Sequence, residues 1–276
     1  MNNFFDIKRF GNYFLYDLRR AKNNYGLSLL LLGLIPVILF VAYVLLSLIG
    51  ILFNGHADGI GMMSDGMKFA GVFTTLCVVL LGAGAKIYGF VTEKRAGSDF
   101  LMLPASTFEK WLSMVLVVCV VLPVVLFALQ FVSDSLLALI FPNTYGSSVA
   151  SFIDQDFIKG ISAGLMDEEG LYINFPAIAF LNWCENVLAF TLGAVCFKRG
   201  KVGKTILCLF GLGVLFSTLM VLLVGNTNID TDQFVALFDS PDKAFSAANW
   251  ILNLIYIIVI GGLLGGLYYR LRTLKQ

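Results

Sequence analysis

Six long apolar stretches alternate with shorter polar segments along the chain, at residues 27–53, 69–91, 111–141, 171–197, 205–225 and 249–269. A helix of about 20 residues crosses a hydrocarbon core of ~30 Å, so each stretch predicts one membrane span. The pattern predicts an all-α polytopic membrane protein: an inner-side segment 1–26, then a six-helix transmembrane domain over 27–276. Outer loops fall at 54–68, 142–170 and 226–248, and inner loops at 92–110 and 198–204. The first apolar run has no small-residue cleavage pattern, so it is read as a retained span.

Residues 4–20 predict an amphipathic helix. At 100° per residue, Phe4, Ile7, Phe10, Phe14, Leu15 and Leu18 share one arc, and Lys8, Arg9, Arg19 and Arg20 lie opposite. Such a helix suits the inner membrane interface, rings below the headgroups and cations at the surface. Pro36 predicts a kink in span one, because its ring removes a backbone hydrogen bond. Span three carries Pro123 and is too long for a straight crossing, so it tilts or projects beyond the bilayer. A short helix is expected near 149–165, and Asp239-Ser240-Pro241-Asp242 reads as a helix start. In span six, Gly261, Gly262, Gly265 and Gly266 make two overlapping GxxxG patterns. Such spacing strips bulk from one helix stripe and predicts close helix packing, within the chain or between two copies.

Charge orients this layout. With residue 1 inside, all but Lys68, Lys159 and Lys243 of the 19 Lys and Arg fall on the inner side. That is the positive-inside bias, with both termini inside. The acids lean outward, as in Asp154, Asp156, Asp167, Glu168 and Glu169. A net charge of +1 therefore conceals two oppositely biased faces. The inner face suits anionic lipid headgroups. Its cations are spread over separate segments, which argues against a nucleic-acid partner.

Composition agrees: 58% of residues are hydrophobic and 13% charged, against roughly a quarter charged in soluble domains. The five cysteines (Cys77, Cys119, Cys184, Cys196, Cys208) all lie in apolar spans, form no CxxC pair and read as small apolar fillers. His56 is the one histidine and cannot build a usual zinc site alone. No HExxH or GxSxG is present, so no catalytic set, metal or cofactor is expected. Residues 198–205 end in Gly203-Lys204-Thr205, as a phosphate loop does. Lys198 stands where the first glycine of that motif belongs, and no strand precedes it. The segment reads as a positive-inside turn.

Several polar groups lie within the spans. Glu185 sits deep in span four, with Asn182 three residues earlier on the same face. An intramembrane carboxyl faces a cavity or a partner by default. Two readings stand: a polar point on a cargo path, or a carboxyl hydrogen-bonded between helices. Asp134 falls far along span three, at the expected outer surface, with Gln130 one turn earlier. Lys86, near the inner end of span two, can snorkel to headgroups.

The inner loop 92–110 is the most suggestive segment. Ser98 or Asp99 is placed to cap a short helix over Phe100–Leu103, and Pro104 to stop it. Ser106 and Glu109 have capping-box spacing and would start span three. An apolar helix in a cytoplasmic loop needs a lipid or protein partner. The pattern Glu93, Lys94, Arg95, Gly97, Leu101, Leu103, Pro104 resembles the loop after the second span in permease subunits of ABC-2 type exporters. The six spans, the N-terminal amphipathic helix and the inner termini resemble that family too. The resemblance covers the whole chain in architecture and about 15 residues in motif.

By this resemblance, the segment 93–104, with Phe100, would be the coupling helix that docks on a separate ATP-binding cassette subunit. The chain would be a non-enzymatic permease in a bacterial cytoplasmic membrane, acting as a homodimer or with a similar permease. ATP hydrolysis would belong to the partner. The alternative is a non-transport membrane scaffold or assembly factor that uses the same loop to hold a cytosolic protein.

Overall fold

The computed structural model describes residues 5–54, 60–152, 175–224 and 241–274. Among them there is no strand, and six helices are long and apolar enough to cross a membrane. The protein is an all-α, multi-pass membrane protein, as the apolar pattern predicts. Its helices are α1 (Ile7–Gly33), α2 (Ile35–Asn54), α3 (Asp65–Tyr88), α4 (Lys94–Met102), α5 (Thr107–Leu116), α6 (Leu122–Ile140), α7 (Phe175–Cys196), α8 (Lys201–Val224) and α9 (Pro241–Thr273).

The N-terminal helix is present and longer than expected. No helix breaker separates residues 20–26 from the apolar run, so α1 continues to Gly33 and ends at Leu34. There the Leu34 N–H is shared among the carbonyls of Leu30, Leu31 and Leu32. Pro36, second residue of α2, cannot donate to the preceding turn, and where the sequence predicts a kink within a span from residue 27, the helix breaks and the span begins at Ile35. Phe4 lies outside the described residues.

α1 follows span three step for step. Arg9 pairs with Glu109, and Ser133 Oγ donates to the Gly33 carbonyl, both at a sequence separation of 100. Asp17 and Ser113 meet at a separation of 96. The two helices thus run parallel and in register. The buried stripe of α1 is Tyr13, Asp17, Ala21 and Tyr25, spaced one turn apart. Ile7 and Leu15 of the apolar arc stay exposed, where lipid can cover them.

Span three is one continuous run, Thr107–Ile140. Its 34 residues extend about 51 Å, more than a straight crossing needs. A π-helical turn, Val117–Val121, joins α5 to α6, and the Leu122 N–H reaches back to the Val117 carbonyl. The widened turn falls just before Pro123, whose nitrogen has no proton for the ladder.

The core is formed by α1, α3, α5–α6 and α7, which share one large cluster around Val79, Tyr88, Met114, Leu126, Val187 and Val195. Half of the α7 span is buried, against 6% of the α2, α8 and α9 spans, so α2 and α8 are peripheral and α9 joins the core through Leu267 and Leu271 near its end. α3 and α7 approach most closely at Gly84. A Cβ there would lie 2.9 Å from both the nitrogen and the Cα of Thr191, so only glycine fits. A Cβ on Gly193 would likewise collide with the Thr205 hydroxyl on α8.

The outer segments are partly described. A 3₁₀ turn occupies Val149–Phe152, at the start of the helix expected near 149–165; the remainder of that stretch lies outside the described residues. α9 opens at Pro241, a favoured first helical position, next to the predicted start. Residues 226–240 and His56 lie outside the described residues.

Candidate functional site

The loop 92–110 contains a short helix held against its neighbours. α4 begins after Glu93, not at Ser98 or Asp99: the Glu93 carbonyl accepts the Gly97 N–H, so the helix opens about one and a half turns earlier than expected. Its end is as predicted. Leu103 is extended, the conformation favoured before a proline, and Pro104 follows. The side chains of Lys94 and Arg95 lie outside the described residues.

One face of α4 is locked in place. Gly97 and Phe100 are buried, and Phe100 meets Phe90 edge-on at 5.9 Å. The buried Lys110 ammonium donates to the carbonyls of Phe100 (2.8 Å) and Leu101 (3.2 Å). A cation there satisfies orphan carbonyls and matches the negative end of the α4 dipole. The other face is open: Met102 is 83% exposed and Leu101 38%, while Phe100 is 2%. A rigid base thus presents two apolar side chains outward. Leu103 packs partly against the core.

The start of span three adds a second anchor. Ser106 and Glu109 form the predicted capping box. Glu109 is fully enclosed. It also accepts the Asp6 backbone N–H (3.0 Å) and the Arg9 guanidinium (2.8–3.1 Å), while Asp6 caps α1 through the N–H groups of Lys8 and Arg9. One carboxylate therefore joins the first turns of α1 and α5. Arg20 lies 3.3 Å from the centre of the Phe90 ring, which itself touches Phe100. Movement of α4 would be felt at α1, α3 and α5 together.

Behind this lies a buried polar knot that the sequence reading missed. Asp17 is enclosed and accepts hydrogen bonds from Tyr88 (2.9 Å) and Ser113 (2.6 Å). Burial pushes its carboxyl above the ordinary value, against the pull of those two hydrogen bonds. Tyr13, on the same stripe, is pushed up by burial and then by Asp17. The signal was available: Tyr13, Asp17, Ala21 and Tyr25 recur every four residues, but an acid and an alanine in the middle of the stripe hide it from an apolar-arc test.

The other sequence candidates are dispersed. Asn182 is exposed and lies 3.4 Å from the Tyr256 hydroxyl, and Asn186 donates to Asn182. Glu185 is half-buried, with no hydrogen-bond or ion-pair partner among the described residues. Three of the span-six glycines, Gly261, Gly262 and Gly265, face open space. Gly266 alone would bring a Cβ into ordinary contact, with Leu192 at 3.5 Å. The tight contacts inside the chain are made by Gly84 and Gly193 instead.

Residues 198–205 form a turn and the opening of α8. Gly200 takes a left-handed φ of 63°, and the Lys201 ammonium bonds the Gly89 carbonyl. Lys201 thus ties this turn to the C-terminal end of α3. The cysteines are all free, with Cys119 and Cys184 buried in one apolar cluster. Lys86 is exposed and reaches Ser28 at 3.0 Å.

Asp134 departs from expectation. It is buried rather than at the outer surface, because the chain after α6 folds back over it. The Tyr145 hydroxyl and the Val149 N–H (2.7 Å) both donate to its carboxyl. Lys68, one of the cations outside the inner side, is also buried. It pairs with Asp65 (2.9 Å) and the Ser147 carbonyl (3.0 Å), with the Tyr145 ring 4.8 Å away.

Comparison with family models, with curated proteins and with solved structures found no match to this chain.

Proposed function

We propose that the chain is the membrane-spanning permease of an ATP-driven, ABC-type exporter, coupled through residues 93–104 to a separate ATPase chain. The observation that carries this reading is the two-sided α4: Phe100 and Lys110 lock one face, while Leu101 and Met102 project from the other. A coupling element needs both properties, a greasy knob for the motor and a stiff connection to the spans. Arg9–Glu109 and Arg20–Phe90 supply that connection toward α1 and α5. In this reading the membrane is a bacterial cytoplasmic membrane, both termini lie inside, and a second copy or similar permease completes the transporter. Glu185 and Asn182 would then line or gate the path.

The test is Leu101→Glu and Met102→Glu in the full chain, purified in mild detergent. Both residues are exposed, so the fold should survive with thermal stability within ~0.5 kcal/mol. The expected result is loss of a co-purifying ATP-binding cassette subunit and of its stimulated ATPase activity. Retention of a different cytosolic protein, with ATPase activity unmoved, would instead assign the same loop to a scaffold.

A further inference from the structure

Span four carries polar side chains at hydrocarbon depth that the bundle itself leaves partly unused. Asn182, Glu185 and Asn186 are three and four residues apart on α7, so they share one face. Glu185 precedes the end of α7 at Cys196 by about three turns, roughly 16 Å, which is mid-depth in a core of ~30 Å. Asn182 is exposed, Glu185 and Asn186 are half-buried, and Phe180 beside them is 55% exposed. This face therefore looks out of the bundle.

Hydrogen bonds within the chain account for part of it. Asn186 Nδ2 donates to the Asn182 carbonyl (2.9 Å) and to Asn182 Oδ1 (3.1 Å), which uses both of its protons. Asn182 Nδ2 reaches the Tyr256 hydroxyl at 3.4 Å and keeps a second N–H in hand. The Glu185 carboxyl has no partner among the described residues. Spans four, five and six contain no Lys or Arg to pair with it. One spare donor and one vacant acceptor thus stand a turn apart on the same outward face.

Lipid tails offer neither a donor nor an acceptor at this depth, so such groups turn to another helix. A second copy supplies the match. Two copies inserted the same way are related by a two-fold axis normal to the membrane, which keeps equivalent residues at equal depth. Across that axis the donor of each copy faces the acceptor of the other, and the contact is made twice. We infer that a second copy of this chain docks on the Asn182–Glu185 face of α7, with Asn182 of each copy donating to Glu185 of the other. This rests on the second copy in the exporter reading, but not on α4 or an ATPase.

Self-association of the full chain in phosphatidylcholine vesicles tests it. With a fluorescent tag on the C-terminus, photobleaching steps are counted as the protein is diluted into lipid. The double variant Asn182→Leu, Glu185→Leu should associate roughly tenfold more weakly than the parent. Glu185→Gln still accepts an N–H and should retain most of the association. A benzophenone amino acid in place of Phe180 should trap covalent dimers several-fold more often than one in place of Phe210, which is 72% exposed on α8. That comparison leaves Asn182 and Glu185 intact. A parent that stays single at every dilution, or a double variant that pairs like the parent, would overturn the inference. So would equal trapping at Phe180 and Phe210, or adducts at Phe180 only with lipid or with a different polypeptide. A single chain that still holds an ATPase subunit would sink this contact and spare the coupling at α4. Loss of pairing without loss of the ATPase subunit is therefore distinct from the outcome expected of Leu101→Glu.

Discussion

Glu109 and Gln130 are both buried, toward opposite ends of span three, and they are treated in opposite ways. Glu109 accepts hydrogen bonds from Asp6, Arg9 and Ser106. Around it, Lys110 caps α4, Arg20 covers Phe90 and Asp17 holds Tyr88 and Ser113. Gln130 has no partner among the described residues and borders a cavity. The end carrying α4 is built as a joint, with polar groups tying four helices together. The far end also pairs its charges but leaves space and one unsatisfied amide. Polar burial therefore ties helices together at one end and leaves one amide unpaired at the other.

That contrast can be broken by substitution. Glu109→Ala should have the largest effect. It removes the reciprocal half of the α5 capping box and strips Ser106, Asp6 and Arg9 of their acceptor, at ~1–3 kcal/mol for a buried partner left unpaired. Thermal unfolding in detergent should drop by at least that amount, with proteolysis appearing first near residues 5–10. Lys110→Met keeps bulk but leaves the Phe100 and Leu101 carbonyls unpaired, at ~1–3 kcal/mol. Protease access to α4 should rise while the spans stay folded. If either variant melts like the parent, the joint is not a joint.

The Asp17 knot sharpens the same point through pH. Because burial raises its carboxyl, the folded chain holds this proton more tightly than the unfolded chain does. The stability this contributes is present below the unfolded value and is lost as pH climbs through the raised folded value. Asp17→Asn should remove that loss, so thermal unfolding of the variant falls less than the parent's as pH rises through the acidic range. An unchanged slope would show that Asp17 does not set it. The smallest effect belongs to the far end. Gln130→Leu deletes an amide that bonds nothing described, so stability should hold within ~0.5 kcal/mol or rise. A drop as large as that of Glu109→Ala would make Gln130 a structural linchpin and erase the contrast.

Much of this was legible in one dimension. The Ser106–Glu109 capping box needs residues only three apart, and the stop at Pro104 only one neighbour. The break beside Pro36 is equally local. The start of α4 was read too late, because nothing marks Glu93: its side chain makes no capping bond. Asp134 was placed at the surface because depth along a straight helix ignores the chain that folds back over it. Asp17 and Lys68 were hidden for a related reason. Their partners, Tyr88 and Ser113 for one and Ser147 for the other, lie 71, 96 and 79 residues away.

The sequence by itself determined the class, since hydrocarbon selects long apolar helices and each helix satisfies its own backbone. It determined the caps and breaks as well, because these arise within one turn. The tertiary structure decided which faces meet. It put close glycine contacts at Gly84 against Thr191 and at Gly193 against Thr205, and left Gly261 and Gly265 in the open. It aligned α1 with span three, enclosed Asp17, Glu109 and Asp134, and opened the cavity beside Gln130. In a span that is apolar on every side, periodicity carries no rotation signal, so only the packed neighbours choose which side becomes the inside.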